Sequence, residues 1–102
     1  MKDNHWTGCG IVHSKKTITI EDPRNNYKVT DLSIKITRMI KGKSRTTFIP
    51  CECWGVMSEE ADNIQEGDFV YAEGHFENKK WLNKDKIEMQ KNVIAIEKIS
   101  VK

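Results

Sequence analysis

This chain has almost no net charge to use in bulk. Seventeen Lys and Arg face fifteen Asp and Glu over 102 residues, leaving +2. Bulk charge therefore gives no reason to expect a polyanionic partner, and only the placement of the charges can. Long apolar runs are also missing. Nothing approaches the ~18 residues that a membrane-spanning helix needs, so no membrane partner is expected. The opening MKDNHWTGCG is polar, which predicts no signal peptide. Cysteines number only three, an odd count. Two of them, Cys51 and Cys53, share one face of a strand, where neighbours are poorly placed to bridge. All three read as reduced thiols of a cytoplasmic protein.

Catalytic groupings are absent too. Cys51-x-Cys53, with His5, His13 and His75 elsewhere, lacks the C-x₂₋₄-C pairing and the second ligand pair of a zinc site, so no metal is expected. No carboxylates cluster in a metal-binding arrangement, and nothing marks an exposed thiol with an orienting group. The expectation is a protein that is not an enzyme and takes no cofactor. The length fits one domain, residues 1–102, and is too short for two. No repeat or low-complexity linker divides it.

What is present is strand. Residues 4–13 read as a first strand, and Gly8 and Gly10 suggest curvature or a bulge. Ser14 to Lys16 reads as a break, after which Thr17 to Ile20 alternates and continues the sheet. Asp22 to Asn26 is a turn by composition. Val29 to Ile40 alternates Leu32, Ile34 and Ile36 against Asp31, Ser33 and Lys35. Lys41 to Arg45 is a basic hairpin tip, and Thr46 to Trp54 is the third strand. Met57, Ala61 and Ile64 then recur at helical spacing, predicting one helix between Met57 and Gln65 with Ser58 as its cap. Phe69 to Glu77 is the fourth strand, with Val70, Ala72 and Phe76 inward. Lys79 to Lys86 is a second basic hairpin, and Ile87 to Ile99 the last strand. Short strands with one short helix suit a closed all-β barrel better than an α/β layer fold.

The stretch from Thr47 to Trp81 carries most of the functional signal. On its first strand Phe48, Pro50, Glu52 and Trp54 point one way, and Ile49, Cys51 and Cys53 the other. The second set suits a core. The first carries two large aromatics on the outer face. Basic residues gather in the two hairpins: Arg38, Lys41, Lys43 and Arg45 in one, Lys79, Lys80, Lys84 and Lys86 in the other. Acidic residues gather at Glu59, Glu60, Asp62, Glu66 and Asp68 around the helix. One positive and one negative face would reconcile this segregation with near-zero net charge. The competing explanation is ordinary solvated loop charge. Outward aromatics between basic hairpins suggest a platform on which nucleobases stack. Tyr71 shares the outward parity of its strand and could stack or support Trp54. Trp6 could pack, stack or line a subunit interface.

Phe48 to Gly55, Gly67 to Gly74 (GDFVYAEG) and Lys79 to Trp81 (KKW), in this order and spacing, resemble the single-stranded-DNA-binding protein family of bacteria and their phages. The resemblance runs roughly from Asn4 to Ile99. It implies an OB-fold, a five-stranded Greek-key barrel with a helix between the third and fourth strands. It also implies sequence-independent binding of single-stranded DNA, with RNA not distinguished, by a homo-oligomer, here expected as a dimer or tetramer. Phe48, Trp54 and Trp81 match three base-stacking positions. There are departures. Ile40 stands near a position usually aromatic. Glu52 and Glu77 fall where neutral or basic groups would help DNA. The turn at Asp22 to Tyr27 is longer than usual. The sequence stops at Lys102 on KISVK without the family's linker and acidic tip. The expectation is a minimal or shortened form, without that tip to recruit replication proteins. The reading is a DNA-coating protein of replication, recombination or repair. The alternatives are an accessory factor acting through protein partners, or an oligomerisation module whose DNA groove has decayed.

Overall fold

A computed structural model describes residues 4–102. Five strands and one helix follow one another as β1 (Trp6–Asp22), β2 (Asn25–Ile40), β3 (Lys43–Trp54), α1 (Val56–Ala61), β4 (Phe69–Leu82) and β5 (Glu88–Val101). The strands close into a barrel in the order β1-β2-β3-β5-β4. All ladders are antiparallel except a short parallel one, where Cys51 meets Ile94 and Glu52 meets Ala95. With the helix between β3 and β4, this is the OB-fold architecture expected from the sequence.

Period-two alternation builds the core. Leu32 and Ile34 from β2, Cys51 and Cys53 from β3, and Val70 and Ala72 from β4 all point inward and are buried. Gly10 is needed where β1 crosses β2, because a Cβ there would lie 2.5 Å from the Lys35 carbonyl oxygen. The supposed break at 14–16 is instead a bulge. Val12 faces Ile34 and Ser14 faces Ser33, so His13 is the extra residue and β1 continues unbroken. The following turn is also tighter than expected. Only Pro23 and Arg24 form it, Asp22 Oδ1 accepts from the Arg24 N–H at 2.9 Å, and Asn25 to Tyr27 already belong to β2.

The helix is shorter than its hydrophobic spacing predicts. It ends at Ala61, and Asp62, Asn63 and Ile64 donate instead to carbonyls three residues back. These tight turns, not a continuing helix, carry Ile64 into the core beside Ala61. Ser58 does not cap the helix. Gly55 is the N-cap, and Ser58 lies inside α1, fully buried, in a 2.7 Å hydroxyl bond to Thr30. Thr30 in turn meets Thr17 at 3.0 Å, so β1, β2 and α1 share one hydroxyl chain.

Two strand pairs run on beyond the barrel as arms. The Cα radius of gyration is 15.1 Å, against the ~13 Å of a compact chain of this length. In the first arm, Lys41 and Gly42 form a two-residue turn with positive φ at both positions, the hairpin geometry that matches strand twist. The second arm explains a wrong expectation. Phe76 is 52% exposed, not inward. β4 leaves β1 at Gly74, and past that point it pairs only with β5, so no barrel wall remains to cover Phe76. Asn4 accepts the Phe76 N–H there and donates to its carbonyl.

Candidate nucleic-acid interface

The outer faces of β3 and of the β4–β5 arm hold the aromatics named from the sequence. Phe48, Trp54 and Trp81 are 49%, 39% and 44% exposed. Their parity assignment holds, because Cys51 and Cys53 on the opposite face are fully buried. Burial pushes both thiols up to about 12, so neither is a nucleophile near neutral pH.

Each ring has a different setting. Phe48 lies 4.8 Å from the His13 ring, at the β1 bulge. Trp54 stands between Tyr27, 5.7 Å away, and the Lys79 ammonium, 5.3 Å from its ring centroid. Trp81 faces Met89 across the β4–β5 ladder. Among the described residues it has neither a ring partner nor a cation partner. Tyr71 sits apart, between Cys9 of β1 and Ser100 of β5. Its hydroxyl donates to Glu73 at 2.8 Å, and Lys102 lies over its ring. That bond and burial raise its pKa above the ordinary phenol value. Its ring does not meet Trp54. Trp6 is half-buried against the core and folds over Gly8.

A cleft of about 420 Å³ runs below Trp81, lined also by Asp31, Glu52, Lys79, Lys80 and Lys91. An adjoining one of about 210 Å³ shares Asp31, Glu52 and Lys91 and extends to Lys16 and Pro50. Lys16 and Lys91 went unnoticed in the sequence. Lys91 lies directly across from Lys79, and this pairing register was the only signal that could have identified it.

The basic residues are placed as two groups. Arg38, Lys41, Lys43 and Arg45 are exposed along the β2–β3 arm, and Lys80, Lys84 and Lys86 along the other. Among the described residues none of these seven has a carboxylate partner. Arg38 and Arg45 face each other directly, a like-charge pair that costs stability when no anion lies between them. Cross-strand pairing puts these arginines on the core parity of the ribbon, opposite to Phe48. Lys79 differs from the other arm lysines in being held by Glu52 at 2.5 Å.

The two carboxylates that sit badly for an anionic ligand are both taken up locally. Glu52 is 6% exposed and accepts from Lys79 and from the Trp54 indole N–H. Glu77 meets His75 Nε2 at 2.9 Å, while Glu97 meets His75 Nδ1 at 3.1 Å. Those two hydrogen bonds, Glu77 first, raise the His75 pKa above the ordinary imidazole value. The acidic residues around α1 lie in another segment, with Lys28 and Asp62 paired at 2.7 Å. No group of three or more His, Cys, Asp or Glu side chains able to hold a metal occurs among the described residues. Among the described residues no helix is long and apolar enough to cross a membrane.

No curated protein sequence matches this chain. The model of the single-strand binding protein family matches residues 9–101. That span takes in the whole of β2 to β5 with Phe48, Trp54 and Trp81, and on it the chain belongs to the single-strand binding protein family.

Proposed function

We propose that this protein binds and protects single-stranded DNA without sequence preference, during replication, recombination or repair. Bases stack on Phe48, Trp54 and Trp81. Phosphates are neutralised by Arg38, Lys41, Lys43 and Arg45 on one arm and by Lys80, Lys84 and Lys86 on the other. The observation that carries this reading is the coincidence of three exposed rings with two arms of cations lacking carboxylate partners. Tyr71 contributes from the side, outside the ring set around Glu52. The uptake of Glu52 and Glu77 by Lys79 and His75 removes the main reason to regard the groove as decayed.

Assembly belongs to the same proposal. Ile11 and Phe69 are paired across β1 and β4 and are 44% and 48% exposed. The first five residues of β1, Trp6 to Gly10, pair only with β4 and leave an edge. A dimer or tetramer would cover both. Titration with a single-stranded homopolymer, read by tryptophan fluorescence beside a solution mass, tests the whole. Strong quenching at low salt and a mass above the 11.8 kDa monomer are expected. Unchanged fluorescence and no mobility shift of the strand would leave the accessory-factor reading in its place.

A further inference from the structure

Glu52 is out of place on its strand. Phe48, Pro50 and Trp54 share its parity and are exposed, whereas Glu52 is 6% exposed. Both its oxygens are engaged. Oε1 accepts from Trp54 Nε1 at 3.1 Å, and Oε2 accepts from Lys79 Nζ at 2.5 Å. The same ammonium stands 5.3 Å from the Trp54 ring centroid. One carboxylate thus ties a ring at the end of β3 to a lysine on the β4–β5 arm. Asp31 lies across the β2–β3 ladder from it, so no second cation from β2 competes for Glu52.

We propose that Glu52 is a positioning residue of the DNA-binding surface, fixing the Trp54 indole and silencing the charge of Lys79. This rests on the function proposed above. An indole at a strand end has two side-chain torsions to lose when a base stacks on it. Holding its N–H beforehand removes part of that ordering cost. The second consequence is electrostatic. A lysine paired with a buried carboxylate presents little net charge, so strand binding at Lys79 releases no condensed counterion. The free arm lysines each release one. Lys79 therefore differs in role from Lys80, its neighbour in sequence.

Two measurements decide this. The first is the salt dependence of oligo(dT) binding for wild type, Lys79→Gln, Glu52→Gln and the double variant. Lys79→Gln should leave the slope of log K against log salt unchanged. Glu52→Gln keeps an oxygen for Trp54 but frees Lys79, and should steepen the slope by about 0.7, the contribution of one phosphate contact on a single strand. The double variant should return to the wild-type slope. A drop of about 0.7 on Lys79→Gln alone overturns the proposal, as does a Glu52→Gln slope equal to wild type. The second measurement needs no DNA. Exchange of the Trp54 indole N–H, followed by NMR and assigned with Trp54→Phe, should be slow in wild type and in Glu52→Gln. It should be faster in Glu52→Met, which keeps the length but offers no oxygen. Equal exchange in all three overturns the positioning role. Wild-type protein that binds no oligo(dT) would sink the proposed function, and the exchange experiment would still decide the tie between Glu52 and Trp54.

Discussion

Trp81→Ala is the cleanest probe of base stacking on this barrel. The ring is 44% exposed on an arm outside the core, and its cross-strand neighbour is Met89. Among the described residues its side chain makes no hydrogen bond that its loss would orphan. Removing one stacking platform should cost about 1–3 kcal/mol of binding. At ~1.4 kcal/mol per factor of ten, that is roughly a 5- to 140-fold weaker Kd. The folded state loses far less: a cross-strand pair contributes about 0.2–1 kcal/mol. At about 4–8 °C per kcal/mol for a domain of this size, the melting temperature should drop by roughly 1–8 °C. Trp54→Ala is less clean, because it leaves one oxygen of the buried Glu52 without its donor, at a further cost of about 1–3 kcal/mol to stability. Anisotropy of a labelled strand is the suitable assay, since deleting a tryptophan alters the intrinsic signal. Binding should weaken alike on oligo(dT), oligo(dC) and mixed sequence. A Kd within twofold of wild type on every strand would refute stacking at Trp81. A collapse of the melting transition would show that the ring is structural.

Three further outcomes are expected. Replacing Lys43 and Arg45 together by Gln should flatten the salt slope of single-strand binding by about 1.4, two contacts of roughly 0.7 each. An unchanged slope would assign the β2–β3 arm no phosphate contact. In the native protein a thiol reagent at pH 8 should leave Cys51 and Cys53 untouched until denaturant is added, because burial pushes both thiols up to about 12. Three fast thiols in native buffer would contradict the core described here. The raised pKa of His75 means that folding favours its protonated form more than the unfolded chain does. Its stabilising contribution is full below the unfolded value of about 6.5 and is lost as pH rises through the higher folded value. Denaturant midpoints should therefore fall across that window in wild type, and His75→Gln should lose that fall.

How much of this was legible in the sequence depended on whether a feature is local. Alternation along β2 and β3 marked Leu32, Ile34, Cys51 and Cys53 as core, and the same parity left Phe48 and Trp54 outside. Side-chain direction in a strand is a local property with period two. Phe76 failed the same rule for a non-local reason. Its parity is inward, as is that of its buried partner Ile94, but β4 has already left β1, so the β1 wall that would cover Phe76 is missing there. Ser58 failed because the Thr30 hydroxyl of β2, itself bonded to Thr17 of β1, offers it a buried partner that no helix-start pattern reveals. The 3.6-residue spacing of Met57, Ala61 and Ile64 correctly named the buried residues and overstated the helix. Tight turns can deliver Ile64 to the same place.

The candidate site shows the same division, and it bears on how a near-neutral chain could bind a polyanion. Composition gives +2 and counts Glu52 and Glu77 against DNA. Folding changes their weight. Glu52 is spent inside the molecule on Lys79 and Trp54, and Glu77 on His75, while Glu59, Glu60 and Asp62 lie on α1 and its C-cap. The arms keep Arg38, Lys41, Lys43, Arg45, Lys80, Lys84 and Lys86 without carboxylate partners among the described residues. The field a single strand meets is set by these unpaired cations within a Debye length of about 10 Å, not by the molecular total. Placing Arg38 opposite Arg45 costs stability in the free protein. On the proposed reading, a phosphate lying between them recovers that cost.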